Sequence, residues 1–180
     1  TAAIDALLRK KERLLALLAE KRAALIHDIV TNAAGPSVKL AYLVDLLSGY
    51  AFASSRYSTN PDDVRLLRGV NVAPDAVRWD DVVRWPVGEV NGLRKWLLRR
   101  GDIVVGLERP WISAGFRIAS LSDGDCPSLL LQRVARIRCG KLIIPEYLRL
   151  QLISEPFKAF VEPDMTGVSV PHISPEQVLS

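Results

Sequence analysis

The strongest constraint on what this chain can fold into lies at its start. Residues 2–31 contain neither glycine nor proline and are dominated by Ala, Leu, Lys, Arg and Glu, the best intrinsic helix formers. Ile4, Leu7, Leu8, Leu14, Leu15, Leu18, Leu25, Ile26 and Ile29 recur at three- and four-residue steps, which lays an apolar stripe along one side of a helix. With Leu8, Leu15 and Ile29 at heptad position a, Ile4, Leu18 and Leu25 fall at d, and Lys11 and Arg22 interrupt the seam. A helix of about 28 residues is roughly 40 Å long, more than a local core covers. The stripe of Ile4, Leu8, Leu15, Leu18, Leu25 and Ile29 therefore predicts a coiled-coil interface. The alternative is a helix folded back on its own domain. Gly35 and Pro36 supply the stop, so residues 1–35 read as an arm and 36–180 as one domain.

The remainder has ample material for a core, since 49% of the 180 residues are apolar. No apolar run reaches the roughly 18 residues that span a bilayer, and the charged, amphipathic opening does not read as a signal peptide. Cys126 and Cys139 lack metal-ligand spacing, so the expectation is two reduced cysteines in a cytoplasmic protein and no structural zinc. The net charge of +4 and pI near 9.3 point mildly to a polyanion. Beyond residue 40 only Lys95, Lys141 and Lys158 interrupt a series of arginines. Guanidinium is the better fork for phosphate and for the guanine edge, although a GC-rich genome produces the same bias.

Past residue 37 the texture turns to short β-branched runs. Residues 40–47 form an apolar element. Strands are expected at 64–72, 102–107, 116–121 and 128–137, with more extended chain at 157–161 and 167–170. Helices are expected at 94–100, closed by Gly101, and at 145–154. Many short strands with few helices predict an α+β domain built on a curved sheet, with no internal repeat.

Catalytic patterns are missing. There is no glycine-rich phosphate loop, no paired histidines at metal spacing and no serine elbow. Nor is there the Asn-Pro-Pro-Tyr type of motif that adenine methylation requires. His27 and His172 read as surface or satisfied polar residues rather than bases. Several polar clusters do suit DNA: the 49–57 stretch with Tyr50, Ser54, Ser55, Arg56 and Tyr57; Glu108-Arg109-Pro110-Trp111 after a strand; Gln132 with Arg136 and Arg138 on one strand face; and Thr166 to Ser169. Arg and hydroxyls position phosphates, whereas Arg and Gln read guanine and adenine edges. Ordinary solvated loops are the alternative.

Four further segments, taken in order with the long helix, carry a family resemblance. They are Gly49-Tyr-Ala-Phe-Ala-Ser-Ser-Arg-Tyr57, Leu67-Arg68-Gly-Val-Asn71, Leu98-Arg-Arg-Gly-Asp102-Ile-Val-Val and Thr166-Gly167-Val-Ser169-Val-Pro-His-Ile173. Together they resemble the specificity subunits of type I restriction–modification systems, as one conserved helix plus one target-recognition domain. Two features depart from that pattern: Asn-Ala-Ala-Gly follows Thr31, and the sequence reaches Ser180 where the family pattern goes on to a proline-rich segment and a second helix, so the expectation is a half subunit or a piece of a longer one. The resemblance implies a non-catalytic chain that reads one half of a bipartite double-stranded DNA site. It implies a helix that acts as a spacer ruler, pairing with a second conserved helix or a second copy of the chain. It also implies docking to methyltransferase subunits, which bring S-adenosylmethionine and flip an adenine into their own pocket, and to restriction motor-nuclease subunits. The chain itself is expected to bind no cofactor. Arg68, Asn71 and Arg117 join the clusters above as candidate DNA contacts. Two other readings stay open: the recognition end of a larger single-chain methyltransferase, and a coiled-coil interaction protein without DNA preference.

Overall fold

In the computed structural model, which describes residues 2–32, 37–165 and 170–180, the arm is a single helix α1 (Ala2–Thr31). Strands follow in chain order: β1 (Val44–Ser48), β2 (Val64–Leu67), β3 (Val72–Ala73), β4 (Ala76–Val77), β5 (Arg84–Trp85), β6 (Leu97–Leu98), β7 (Ile103–Gly106), β8 (Trp111–Ile112), β9 (Gly115–Phe116), β10 (Ile118–Ser120), β11 (Ser128–Leu130) and β12 (Val134–Cys139). Three short helices close the chain: α2 (Pro145–Leu152), α3 (Glu155–Val161) and α4 (Pro175–Leu179). The strands make two four-stranded sheets, β1-β12-β7-β10 and β5-β2-β11-β6, with β3-β4 and β8-β9 as separate hairpins. The expected α+β domain behind a long helix is present, and its strands form a pair of sheets. The first sheet is antiparallel throughout, whereas β2 and β11 run parallel in the second.

Strand β7 shows why the pair forms. Its four residues Ile-Val-Val-Gly are all buried, the continuous apolar pattern of a strand covered on both faces. Ile103 and Val105 face α2, α3 and α4 in one core with Leu148, Leu152, Val161 and Val178. Val104 points the other way, into a core shared between the sheets with Leu67, Leu98, Leu130 and Val134. A third core lies on the far side of the second sheet, where Leu66, Leu129, Phe52 and Trp85 meet Val90, Leu93 and Trp96. The domain is therefore layered as helices, sheet, sheet and a 3-10 segment. Each buried aliphatic side chain contributes about 1.5–3 kcal/mol relative to exposure.

Several sequence expectations are met: the arm, the strand at 102–107 and the helix from 145. Others change, for physical reasons. The strand at 64–72 is broken by a 3-10 turn at Gly69–Asn71, and 116–121 divides between β9 and β10. The run 128–137 is two strands with a turn between, belonging to different sheets. The helix at 94–100 is instead 3-10 chain over Val87–Trp96 leading into β6, because Leu97 and Leu98 pair with Leu129 and Ser128. Residues 157–161 are helical, not extended. Ser154 caps α3 by accepting from the Phe157 amide, with Pro156 in the first turn, a start signal that outweighs local β propensity. The segment 166–169 lies outside the described residues.

The arm's stripe is open to solvent. Ile4, Leu8, Leu15, Leu18, Leu25 and Ile29 are all exposed, Leu15 by 67%. Only near its C-terminal end does α1 meet the domain, through half-buried Ile26 and Val30. There, Asp75 accepts an ion pair from Arg22 of α1 (3.0 Å) and another from Arg149 of α2. Between arm and domain lies a cleft of about 670 Å³ lined by Ala23, Ile26, Pro74, Phe116 and Ile153.

Candidate nucleic-acid interface

Strand direction brings the informative loops together. Antiparallel β1, β7 and β12 place Ser48 opposite Ala135, and Gly106 opposite Val134. Parallel β2 and β11 end side by side at Leu67 and Leu130. The exits of β1, β2, β7 and β11 and the entries of β10 and β12 therefore share one end of the domain. The chain at 170–172 joins them, since the Arg109 amide donates to Pro171 O (2.7 Å) and Glu108 bridges His172. Gly49 is needed for this closure: a Cβ there would stand 2.0 Å from the Leu131 carbonyl oxygen. Its neighbour Tyr50 donates to Leu130 O and accepts from the Gln132 amide, and its exposed ring packs 4.8 Å from Trp96.

At this end Arg68, Arg109, Arg117 and Arg133 surround a cleft of about 340 Å³, with Glu108 as its one carboxylate. Arg117 is half-buried and donates to Val72 O (2.9 Å) and Glu108 O (3.1 Å). Burial and nearby Arg109 lower its pKa while Glu108 opposes them, and it remains a cation at neutral pH. Arg68 is tied to Asp81. The guanidinium of Arg109 has no hydrogen-bond or ion-pair partner among the described residues, and the Gln132 side chain likewise faces water. Arg109 and Arg133 hold positive φ values of 45° and 67°, a backbone region uncommon for residues other than glycine. A second cleft, about 490 Å³ and lined by Ser48, Gly49, His172 and Ser174, adjoins the first across Glu108, Gln132 and Arg133.

Of the sequence candidates, Tyr50, Arg68, Arg109, Arg117 and Gln132 are gathered here. Asn71 is adjacent but only 2% exposed. Its side-chain oxygen accepts from the Arg68 amide, and its NH2 donates to Arg78 O and Asp81 O, so its whole amide is consumed by the turn. Arg136 and Arg138 do share one face of β12, as expected, but not a solvated one. Arg136 is 4% exposed beside Asp45. Arg138 donates to buried Asp102 at 2.6 and 2.9 Å, at the opposite end of β7. That face looks onto the second sheet, which no periodicity within β12 reveals. Ser54, Ser55, Arg56 and Tyr57 fall at the edge of the second sheet, where Arg56 stacks on Trp85 and pairs with Glu89. Thr166 and Ser169 lie outside the described residues. Glu108 and Arg133, which stand in the polar clusters at 108–111 and 132–133 but not among the candidate DNA contacts, occupy the middle of the site; their position directly at a strand exit and a strand entry is the signal that marks them.

Among the described residues no cluster of His, Cys, Asp or Glu could hold a metal ion, and no helix is long and apolar enough to cross a membrane. Both cysteines are free and half-buried, and burial pushes their thiols up in pKa.

Solved structures share this architecture. A chain from a structure of a type I restriction–modification system, described for its complex assembly and conformational transition, superposes over 99% of these residues and 44% of its own (TM-score 0.62, 15% identity). The HsdS subunit of Thermoanaerobacter tengcongensis superposes over 99% and 43% (TM-score 0.56, 17% identity). The two-sheet domain with its long arm is therefore an HsdS-like α+β fold. No protein-family model matches the chain. Its sequence is 35% identical over 141 residues, 78% of its length, to the type I restriction enzyme EcoAI specificity subunit of Escherichia coli. It is 35% identical over 137 residues, 76% of its length, to the MjaVIII specificity subunit of Methanocaldococcus jannaschii. The chain belongs to the specificity subunits of type I restriction enzymes. It spans 23% and 32% of the length of those two relatives.

Proposed function

We propose that residues 36–180 form a DNA-reading domain that takes one half of a bipartite site, and that α1 sets its distance from a second reading unit. The convergence of six strand ends into one arginine-lined cleft carries this reading. It concentrates cations and exposed polar side chains where a duplex can approach without displacing any part of the core. Arg109 and Arg117 supply phosphate contacts, which fix register and carry no sequence information. Gln132 and Tyr50 stand beside them as groups able to meet base edges. The chain does no chemistry itself: partner methyltransferase subunits bring S-adenosylmethionine and the adenine pocket, and restriction motor-nuclease subunits join for cleavage. The exposed stripe of α1 favours pairing with another helix, either a second conserved helix or that of a second copy.

The test is to co-express the natural protein carrying this chain with its methyltransferase subunits in a methylation-free, cytoplasmic bacterial background and map methylated adenines genome-wide. A split motif with a fixed gap, one half of which changes when residues 36–180 are exchanged for those of a relative, is the expected result. Methylation whose motif ignores that exchange refutes the reading.

A further inference from the structure

We infer that Arg133 reads a guanine in the target half-site, and that Glu108 is the positioning residue that holds its guanidinium in the reading orientation. The inference rests on the DNA-reading proposal above and assigns one base to one residue. Three observations lead to it. First, Glu108 is the lone carboxylate in a cleft ringed by four arginines. A negative charge there weakens phosphate attraction, so its presence asks for a role other than affinity. Second, that carboxylate is ion-paired with Nη1 of Arg133, while its own backbone oxygen accepts from Arg117. Glu108 is thereby fixed from both ends, and its backbone is further bridged to His172. Third, the Arg133 side chain is 64% exposed despite the pairing. A guanidinium has five N–H donors in a rigid fork, so one spent on Glu108 leaves most of the fork facing solvent.

The contrast with Arg109 sharpens the assignment. Both arginines occupy left-handed backbone, where a tight turn would be more relaxed with glycine or asparagine. Each keeps a long cationic side chain at some conformational cost. Arg109 is unrestrained among the described residues, which suits a phosphate contact, where a mobile point charge suffices. Arg133 is buttressed, and a fork must be held in orientation to make two simultaneous bonds to guanine O6 and N7. The neighbouring Gln132, anchored through its amide to Tyr50 O (2.9 Å), places the pair at the tip of the β11–β12 turn. That turn lines both clefts, and its two side chains are exposed.

The experiment maps the methylated motif of the natural protein assembled with its methyltransferase subunits, for wild type, Arg133→Lys, Glu108→Gln and the control Arg99→Lys at the other end of the domain. Lysine keeps the charge and removes the fork; glutamine keeps the shape and removes the carboxylate charge. The inference expects a wild-type half-site containing a guanine. Selectivity at that one position should fall roughly tenfold or more in Arg133→Lys, more weakly in Glu108→Gln, and not in Arg99→Lys, with unchanged thermal unfolding midpoints. A motif unaltered in Arg133→Lys, or relaxed equally at every position of the half-site, overturns the inference while leaving the proposed function standing. Tighter DNA binding by Glu108→Gln with an unchanged motif overturns the positioning role. A wild-type motif that does not depend on this domain at all removes the proposed function, and this inference with it.

Discussion

At Arg136 the guanidinium is 4% exposed and its Nε has no hydrogen-bond partner, while the paired Asp45 side chain is 69% exposed. The desolvation cost of such a cation offsets most of what its ion pair returns, and well-packed apolar replacements of buried ion pairs are often neutral or stabilising. Arg136→Met should therefore leave stability unchanged or raise it by up to about 2 kcal/mol, read as the midpoint and slope of urea unfolding, and should leave the methylated motif intact. A loss of more than 2 kcal/mol would show that the pair with Asp45 is needed for folding. Residue chemistry was legible in the sequence, and direction was not. The alternation assigns Arg136 and Arg138 to a common face correctly, but Gln132, read on the same face, lies in the turn before β12, and that face is covered by a second sheet built from residues 64–67, 84–85, 97–98 and 128–130. Arg109, by contrast, was readable because a charged residue directly after an apolar strand has nowhere to go but the strand's end.

Elements with strong local signals were legible and those fixed by distant pairing were not. The arm follows from its composition alone, and β7 from its apolar run. Helices α3 and α4 were missed although each opens with the same punctuation: Ser154 and Ser174 act as caps, and a proline stands in the first turn of each. Their brevity hides any 3.6-residue period, so capping residues were the sole cue. Strand β6 follows neither period nor cap; it exists because β11 offers it an edge. For α1 the exposed stripe yields a prediction. Leu15 and Leu25 are 67% and 53% exposed, so the double substitution Leu15→Lys with Leu25→Lys should change the stability of the isolated chain by less than about 0.5 kcal/mol per site. It should abolish helix-mediated association with a second helix, seen as a loss of the larger species in light scattering coupled to gel filtration. Lost folding with unchanged association would place the stripe in the chain's own core.

On the scale of the whole molecule, arm and domain meet through half-buried Ile26 and Val30 and through one acidic residue. Asp75 sits at φ 61° in the β3–β4 turn and takes both Arg22 and Arg149. Asparagine tolerates the same backbone and removes the charge. Because these groups are solvated, Asp75→Asn should cost no more than about 1 kcal/mol in stability. It should, however, broaden the distribution of distances between spin labels placed near residue 5 and residue 100, measured by pulsed electron resonance; an unchanged distribution would mean that Ile26 and Val30 alone hold the arm. The geometry makes Asp75 a fulcrum under a long lever. From Arg22 to Ala2 the helix extends about 30 Å at 1.5 Å per residue, so a tilt of about 6° at the ion pair swings the free end by roughly 3 Å, close to the 3.4 Å rise of one base pair. A change too small to disturb a single core contact would thus shift the arm's tip by about one step of a duplex.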